Sequence, residues 1–436
     1  MAPVRKRALI VSPRFPPINA ADLHRIRTSL PYFSKNGWDV EVLALTPETS
    51  DGVEDPALLE TVPAEIPVRR VRAVSEQLTR RFGFGHVDLR SFFPMYRAGS
   101  RLLSESRFDL VYFSSTVFSL FVLGRIWKRR FGIKVVFDIQ DPWYEERKSL
   151  YDAATAPGGL RKYRVSQWIN KRLERIAMRA ADHIVVVSAG YSATLQRRYG
   201  WLSPAMFSTI PFGAAPRDFE IFRELKTRQT LFAKDDGLRH WVYVGRGGPD
   251  MVPIVSILFQ ALARLREREP ELINRLRLHF VGTSYAPLAR TSKSVEPVAE
   301  RWGVLDLVQE HSGRVPYFEA LALLRDSDAL ILLGSTIAEY TASKLFNYVL
   351  AEKPTLAIFS AGSLVAKLAT RVPWVRIALF SSDPNEAGFD SEVEKGVRWL
   401  AEGPSIPAGS WSALEAYSAE ELTRVQCEIF DQVLDR

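Results

Sequence analysis

The 436-residue sequence predicts an α/β chain built on two parallel sheets in two domains. Three observations carry this reading. Short apolar, β-branched runs alternate with longer stretches of helical period, as strands buried on both faces and their crossover helices do. The alternation stops at Ile210–Gly213 and a polar stretch to about Gly237, then begins again. The length suits two or three domains of about 150 residues each rather than one core.

Taken in order, Arg7–Ser12 reads as a buried strand and Ala20–Asn36 as a helix. Asp39–Leu45 is a strand closed by Thr46 and Pro47. Asp109–Ser114 and Lys134–Asp138 are strands with a helix from about Phe118 to Arg130 between them. Arg161–Ala180 has apolar residues at helical spacing (Val165, Trp168, Ile169, Leu173, Ile176, Ala177) and a basic opposite face. His183–Val187 and Ala189–Tyr199 complete this half. In the second half Trp241–Gly245, Leu276–Gly282, Ala329–Leu333, Pro354–Phe359 and Val372–Ile377 read as strands. Pro253–Arg268, Lys344–Leu350, Glu392–Ala401 and Ser410–Arg436 read as helices. Two such series imply two Rossmann-like domains facing across a cleft.

Composition narrows the function classes. At 47% hydrophobic and 25% charged the chain is neither disordered nor fibrous. A lone cysteine, Cys427, excludes an internal disulfide framework and a four-cysteine zinc site. The most apolar stretch, Phe108–Gly124, is broken by Asp109 and by Ser114, Ser115, Thr116 and Ser119, so it does not read as a membrane span. The N-terminus has no signal-peptide pattern, and cytoplasmic residence is expected.

The net charge of +8 is uneven: residues 1–214 carry 32 Lys and Arg against 20 Asp and Glu, a net +12, and the remainder is −4. The basic half suits an anionic membrane surface or an acidic substrate, unless Arg is simply abundant. Arg80–Arg101 interleaves Phe82, Phe84, Phe92, Phe93 and Tyr96 with arginines, which reads as an interfacial loop, an acceptor subsite or a loop packed on its own domain. No nucleic-acid motif accompanies the charge, so no nucleic-acid partner is expected.

In open α/β sheets ligands bind beyond the carboxyl ends of the strands. After the first strand come Asn19, Asp22 and His24, with Asn19 or Asp22 as a candidate cap. After Lys134–Phe137 come Asp138 and Asp141, carboxylates that are costly to bury without a partner. After Trp241–Val244 comes G-R-G-G, where Gly245, Gly247 and Gly248 allow close backbone approach to a phosphate and Arg246 supplies charge. After Ala329–Leu333 comes a polar loop with Glu339, then a helix opening near Ser343 and Lys344, which together form a candidate anion site. Each has a plain alternative: a cap for Asp22 or Ser343, an ordinary half-buried histidine for His24, a turn for Asp141, a solvated charge for Lys344.

The stretch S-K-L-F-N-Y-V-L-A-E-K-P from Ser343 to Pro354 resembles the S-K-L-F-E-Y-x-A-x-G-K-P signature of nucleotide-sugar glycosyltransferases of the B-type fold, family 4 (group 1) in particular. L-I-V-S-P-R-F-P-P, D-I-Q-D-P-W, A-D-H-I-V-V-V-S-A-G-Y, T-I-P-F-G and V-G-R-G-G are similar to further elements of that family. So is Y-S-A-E-E-L-T-R-V, which resembles the helix that returns to the first domain. The resemblance implies an acceptor domain at 1–213, a donor domain at 214–409 and a returning helix at 410–436. It implies a metal-independent, retaining transfer from a nucleotide-diphosphate sugar to a glycan or lipid-linked acceptor in cell-surface polysaccharide synthesis, with no separate cofactor. Attachment at the inner face of the membrane is compatible with this.

Carried over residue by residue, Arg246 would neutralise the leaving diphosphate and Glu339 would hold donor-sugar hydroxyls. Asp138 would stand by the donor sugar, where relatives have histidine. Gly245, Gly247, Thr341, Ala342, Ser343, Lys344 and Asn347 would line the donor. Asn19, Asp22, His24 and Asp141 would face the acceptor. Three departures stand out: Asn347 replaces a second glutamate, Pro249, Asp250 and Met251 stand where a lysine is usual, and I-P-N-G has become I-P-F-G. They leave two alternatives: a catalytically weak transferase-like scaffold or partner protein, and a nucleotide-sugar epimerase.

Overall fold

The computed structural model describes residues 5–80, 86–144, 159–284, 293–336, 343–381, 383–406 and 411–436. The chain divides into two compact units, Met1–Phe212 with Ala419–Arg436, and Gly213–Ser418. Both are Rossmann-like.

The strands of the first unit are β1 (Lys6–Val11), β2 (Ile18–Asn19), β3 (Trp38–Leu45), β4 (Val53–Glu54), β5 (Val68–Val71), β6 (Leu110–Ser114), β7 (Lys134–Ile139), β8 (His183–Val186) and β9 (Phe207–Thr209). β2 and β4 form a small antiparallel pair. The other seven form a parallel sheet in the order β5-β3-β1-β6-β7-β8-β9. The second unit has β10 (Arg239–Val244), β11 (Leu276–Val281), β12 (Val308–His311), β13 (Ala329–Leu333), β14 (Thr355–Ser360) and β15 (Val375–Phe380), parallel in the order β12-β11-β10-β13-β14-β15. Each sheet reverses its strand order beside its first strand, between β1 and β6 and between β10 and β13. Crevices for ligands open at such points.

The central strands (A-L-I-V, L-V-Y-F-S, A-L-I-L-L) are buried because helices cover both faces. One face of the first sheet packs Leu9, Phe113, Phe137 and Trp127. The other packs Trp38, Tyr112 and Phe33 around Phe430 of the C-terminal helix Ala419–Leu434. Phe430 meets Trp38 and Tyr112 edge-on at 5.3 and 5.1 Å, and the Trp38 indole donates to Asp431 at 2.9 Å.

Several elements differ from the sequence reading. The expected helix Ala20–Asn36 is a short turn at Ala21–Leu23, a helix at His24–Phe33 and a second turn at Ser34–Asn36. Neither Asn19 nor Asp22 caps it. The segment read as a loop at 80–101 is a helix from Val87 to Glu105, whose Phe92 and Tyr96 lean on the core while Phe93 stays exposed. The last expected strand is shifted to Val375–Phe380. The tail begins with a short turn at Trp411–Tyr417 that stays with the second unit, and the helix starts only at Ala419. In the helix Leu160–Met178 the apolar stripe Val165, Trp168, Ile169 and Ile176 faces out, while Ala177 and Met178 pack inward.

Three histidines lie on neighbouring strands of the second sheet. His240 Nδ1 is 3.0 Å from His279 Nε2, and the His311 ring stacks 6.0 Å beyond. Burial pulls His279 down to about 4 and lowers His311 as well. Unfolded histidine titrates near 6.5, so the unfolded chain binds more protons as pH falls from about 6.5 to about 4. Stability is therefore full above that window and falls within it, by about 3 kcal/mol for His279 alone. Chemical denaturation at neutral and acid pH should show this loss, and His279→Gln should make it shallower; equal acid sensitivity would clear His279 of the effect.

Candidate functional site

In the second unit, four groups meet at the carboxyl end of β10. Gly245 and Gly247 continue the strand pattern: their amides donate to the carbonyls of Val281 at 2.8 Å and Thr283 at 2.7 Å. These two amides are thus used within the sheet. The glycines here leave room for neighbouring side chains. A Cβ on Gly245 would run into the Lys344 ammonium, and one on Gly247 into the Ser294 hydroxyl. The missing side chain at Gly245 thus admits Lys344, which starts the helix Lys344–Leu350. Tyr348 anchors that helix: its hydroxyl accepts the Val244 amide at 2.9 Å. Lys344 Nζ donates to the Tyr243 hydroxyl at 3.2 Å, and that hydroxyl donates to the Arg246 carbonyl at 2.7 Å.

Two cations therefore stand close together, and burial with the Arg246 charge pulls Lys344 down to about 7. Arg246 itself is held in a bidentate pair by Asp250, at 2.9 and 2.6 Å. Arg246 and Ser335 in turn keep Asp250 below the usual carboxylate range. The Asp250 carbonyl accepts the Thr336 amide at 3.2 Å. Asp250 thus ties the glycine loop to the loop leaving β13. It went unassigned in the sequence, although its position four residues after Arg246 was a readable signal.

Ser343 is exposed and makes no capping bond, and Asn347 lies half-buried on the same helix. Glu339, Thr341 and Ala342 lie outside the described residues. Of the expected donor set, the structure brings together Gly245, Arg246, Gly247 and Lys344.

The first unit holds a second polar cluster, at the ends of β1, β6 and β7. Asp138 is fully buried. Its Oδ2 lies 2.8 Å from Arg25 Nε and accepts from Ser114 at 2.7 Å and Gln140 at 2.8 Å. Asp138, expected beside the donor sugar, is a buried partner of Arg25. Arg25 also donates to the carbonyls of Ile210 at 2.6 Å and Pro211 at 3.3 Å and lies over the Phe212 ring. It so fixes the I-P-F turn.

Asp22 is buried and accepts from Arg14 at 3.0 Å, from the Ser115 hydroxyl at 2.9 Å and from the Thr116 amide at 2.9 Å. Asn19 donates to Asp55 at 3.2 Å, and His24 Nδ1 accepts from Arg27 at 3.2 Å. Asp141 stands open at the end of β7. The surrounding protein, and then the Asp22 charge, push it up to about 6. Arg25 escaped assignment because its partner Asp138 lies far away in sequence, and Arg14 and Gln140 went unassigned as well.

Removing one member of a buried ion pair strands the other. Asp138→Ala should cost about 3–5 kcal/mol, and Asp138→Asn less, because the amide oxygen still accepts a hydrogen bond. Denaturant unfolding measures both; an Ala variant as stable as the parent would rule out the pair as a structural anchor.

Residues 28–213 match the family model of the glycosyl transferase 4-like domain. No curated protein matches the sequence. Solved structures align over nearly the whole chain. HepE from Anabaena, in complex with UDP and glucose, is 16% identical over 99% of this chain and 100% of its own, with a TM-score of 0.57. A UDP-forming α,α-trehalose-phosphate synthase from Burkholderia xenovorans, in complex with glucose-6-phosphate, is 13% identical over 99% and 100%, with a TM-score of 0.61. A glycosyltransferase from Rickettsia africae is 12% identical over 99% and 100%, with a TM-score of 0.54. At such identities the likeness is one of fold. Residues 28–213 thus resemble the glycosyl transferase 4-like domain, and the chain has the two-domain B-type fold seen in these glycosyltransferase structures.

Proposed function

We propose that this enzyme transfers a sugar from a nucleotide-diphosphate sugar, held by the second unit, to a glycan or lipid-linked acceptor at the first. The observation that carries this is the convergence of Arg246 and Lys344 on Gly245. Negative charge develops on the departing diphosphate, and fixed cations in a half-buried site stabilise it. These two side chains supply the charge that a divalent ion otherwise would, which supports a metal-independent reaction. Asp250 pairs with Arg246, and a diphosphate, carrying more charge than a carboxylate, competes with it for the guanidinium. Asp141, raised to about 6, is the open carboxylate on the acceptor side. We further propose retention at the anomeric carbon and a place in cell-surface polysaccharide synthesis, on the resemblance to family 4. UDP-sugars are the first donors to test, because HepE forms complexes with UDP and UDP-glucose.

A scaffold without turnover is the second reading, and the Arg246–Asp250 pair favours it. Donor hydrolysis separates the two. If Arg246 stabilises the leaving group, Arg246→Ala raises the barrier by about 2–4 kcal/mol. An unchanged rate would remove that role, and no turnover with any nucleotide sugar would favour the scaffold.

Lys344 makes binding pH-dependent. The bound diphosphate favours the charged ammonium, so affinity for a nucleotide sugar should be full below pH 7. It should fall about tenfold per unit as pH rises beyond the free value. Calorimetric titration across this range, with Lys344→Met as the flat control, checks the sign; a slope kept in Lys344→Met would assign it elsewhere.

A further inference from the structure

We propose that the outward face of the helix Leu160–Met178 docks on an anionic lipid bilayer. Val165, Trp168, Ile169 and Ile176 fall on one stripe at helical spacing, and Trp168 is 60% exposed. Trp201, in the neighbouring loop, extends the patch. Arginines flank these rings: Arg172 lies 5.0 Å from the Trp168 centroid, and Arg175 and Arg179 lie 5.8 and 5.2 Å from that of Trp201. Arg161, Arg164 and Lys171 are exposed on the same helix. Its one carboxylate, Glu174, is buried and taken by Arg198 at 3.1 Å and by the Tyr199 hydroxyl at 2.8 Å. The exposed face is thus apolar and uniformly basic.

That combination selects its occupant. Indole rings with guanidinium groups beside them suit the headgroup level, where the rings meet acyl chains and the cations meet phosphate. Aliphatic Val165, Ile169 and Ile176 gain only from an apolar medium, which a nucleic-acid backbone does not offer. Among the described residues no helix is long and apolar enough to cross a membrane, and a contact made by one helix face is an interfacial one. The inference rests on this face alone and is independent of the donor reading.

Cosedimentation of the full chain tests it, with phosphatidylglycerol–phosphatidylcholine vesicles against phosphatidylcholine vesicles, at low and high salt. Binding should need the anionic lipid and weaken with salt. The double variant Trp168→Ser, Ile169→Ser should weaken it roughly tenfold or more. Both side chains are exposed, so its melting temperature and its stabilisation by UDP-glucose should match the parent. Equal vesicle binding by parent and variant overturns the proposal, as does a parent that ignores anionic vesicles. Concentration-dependent self-association that the variant abolishes also overturns it and makes the face a contact with a second copy. Lost vesicle binding with an intact nucleotide response, or the reverse, tells which of the two readings failed.

Discussion

A charge taken out of water must be matched, and this constraint organises both polar clusters. In the first unit the Arg25–Asp138 pair joins the end of β7 to the first helix and to the Ile210–Phe212 turn, with Ser114 and Gln140 donating to the same Asp138 oxygen. In the second, Arg246 and Asp250 bind the glycine loop to the loop after β13. The two solutions differ in depth. Arg25 and Asp138 are sealed and serve the fold. Arg246 and Lys344 are half-buried beside a backbone stripped of side chains, and the Asp250 carboxylate pairs with Arg246.

The same economy explains the glycines after β10. Their amides are used by the sheet, so their contribution is room: Gly245 lets a lysine reach the strand end, and Gly247 lets Ser294 close in. A sequence pattern commonly read as a phosphate cradle is here a seat for a cation.

Much of the fold was legible because buried parallel strands read as unbroken apolar runs, as in β1, β6 and β13. The edge strands β5 and β12 were not, since V-R-R-V and V-Q-E-H carry the polar residues that an open edge tolerates. Pro94 and the interleaved arginines concealed the helix Val87–Glu105. At the site, Arg246 and Lys344 stood out through their place after strands. The Tyr348 anchor and the Arg25–Asp138 pair did not, because each joins residues about a hundred positions apart. The outward stripe of Leu160–Met178 was visible as a period, but period alone does not say which side of a helix meets the core.

Phe430 closes the face made by Phe33, Trp38 and Tyr112, although nearly four hundred residues separate it from Trp38. During synthesis that face waits uncovered while residues 213–418 leave the ribosome. The later unit, contiguous in the chain, has all its parts before the earlier one receives its last. Vectorial translation therefore completes the two halves in the reverse of the order in which they begin.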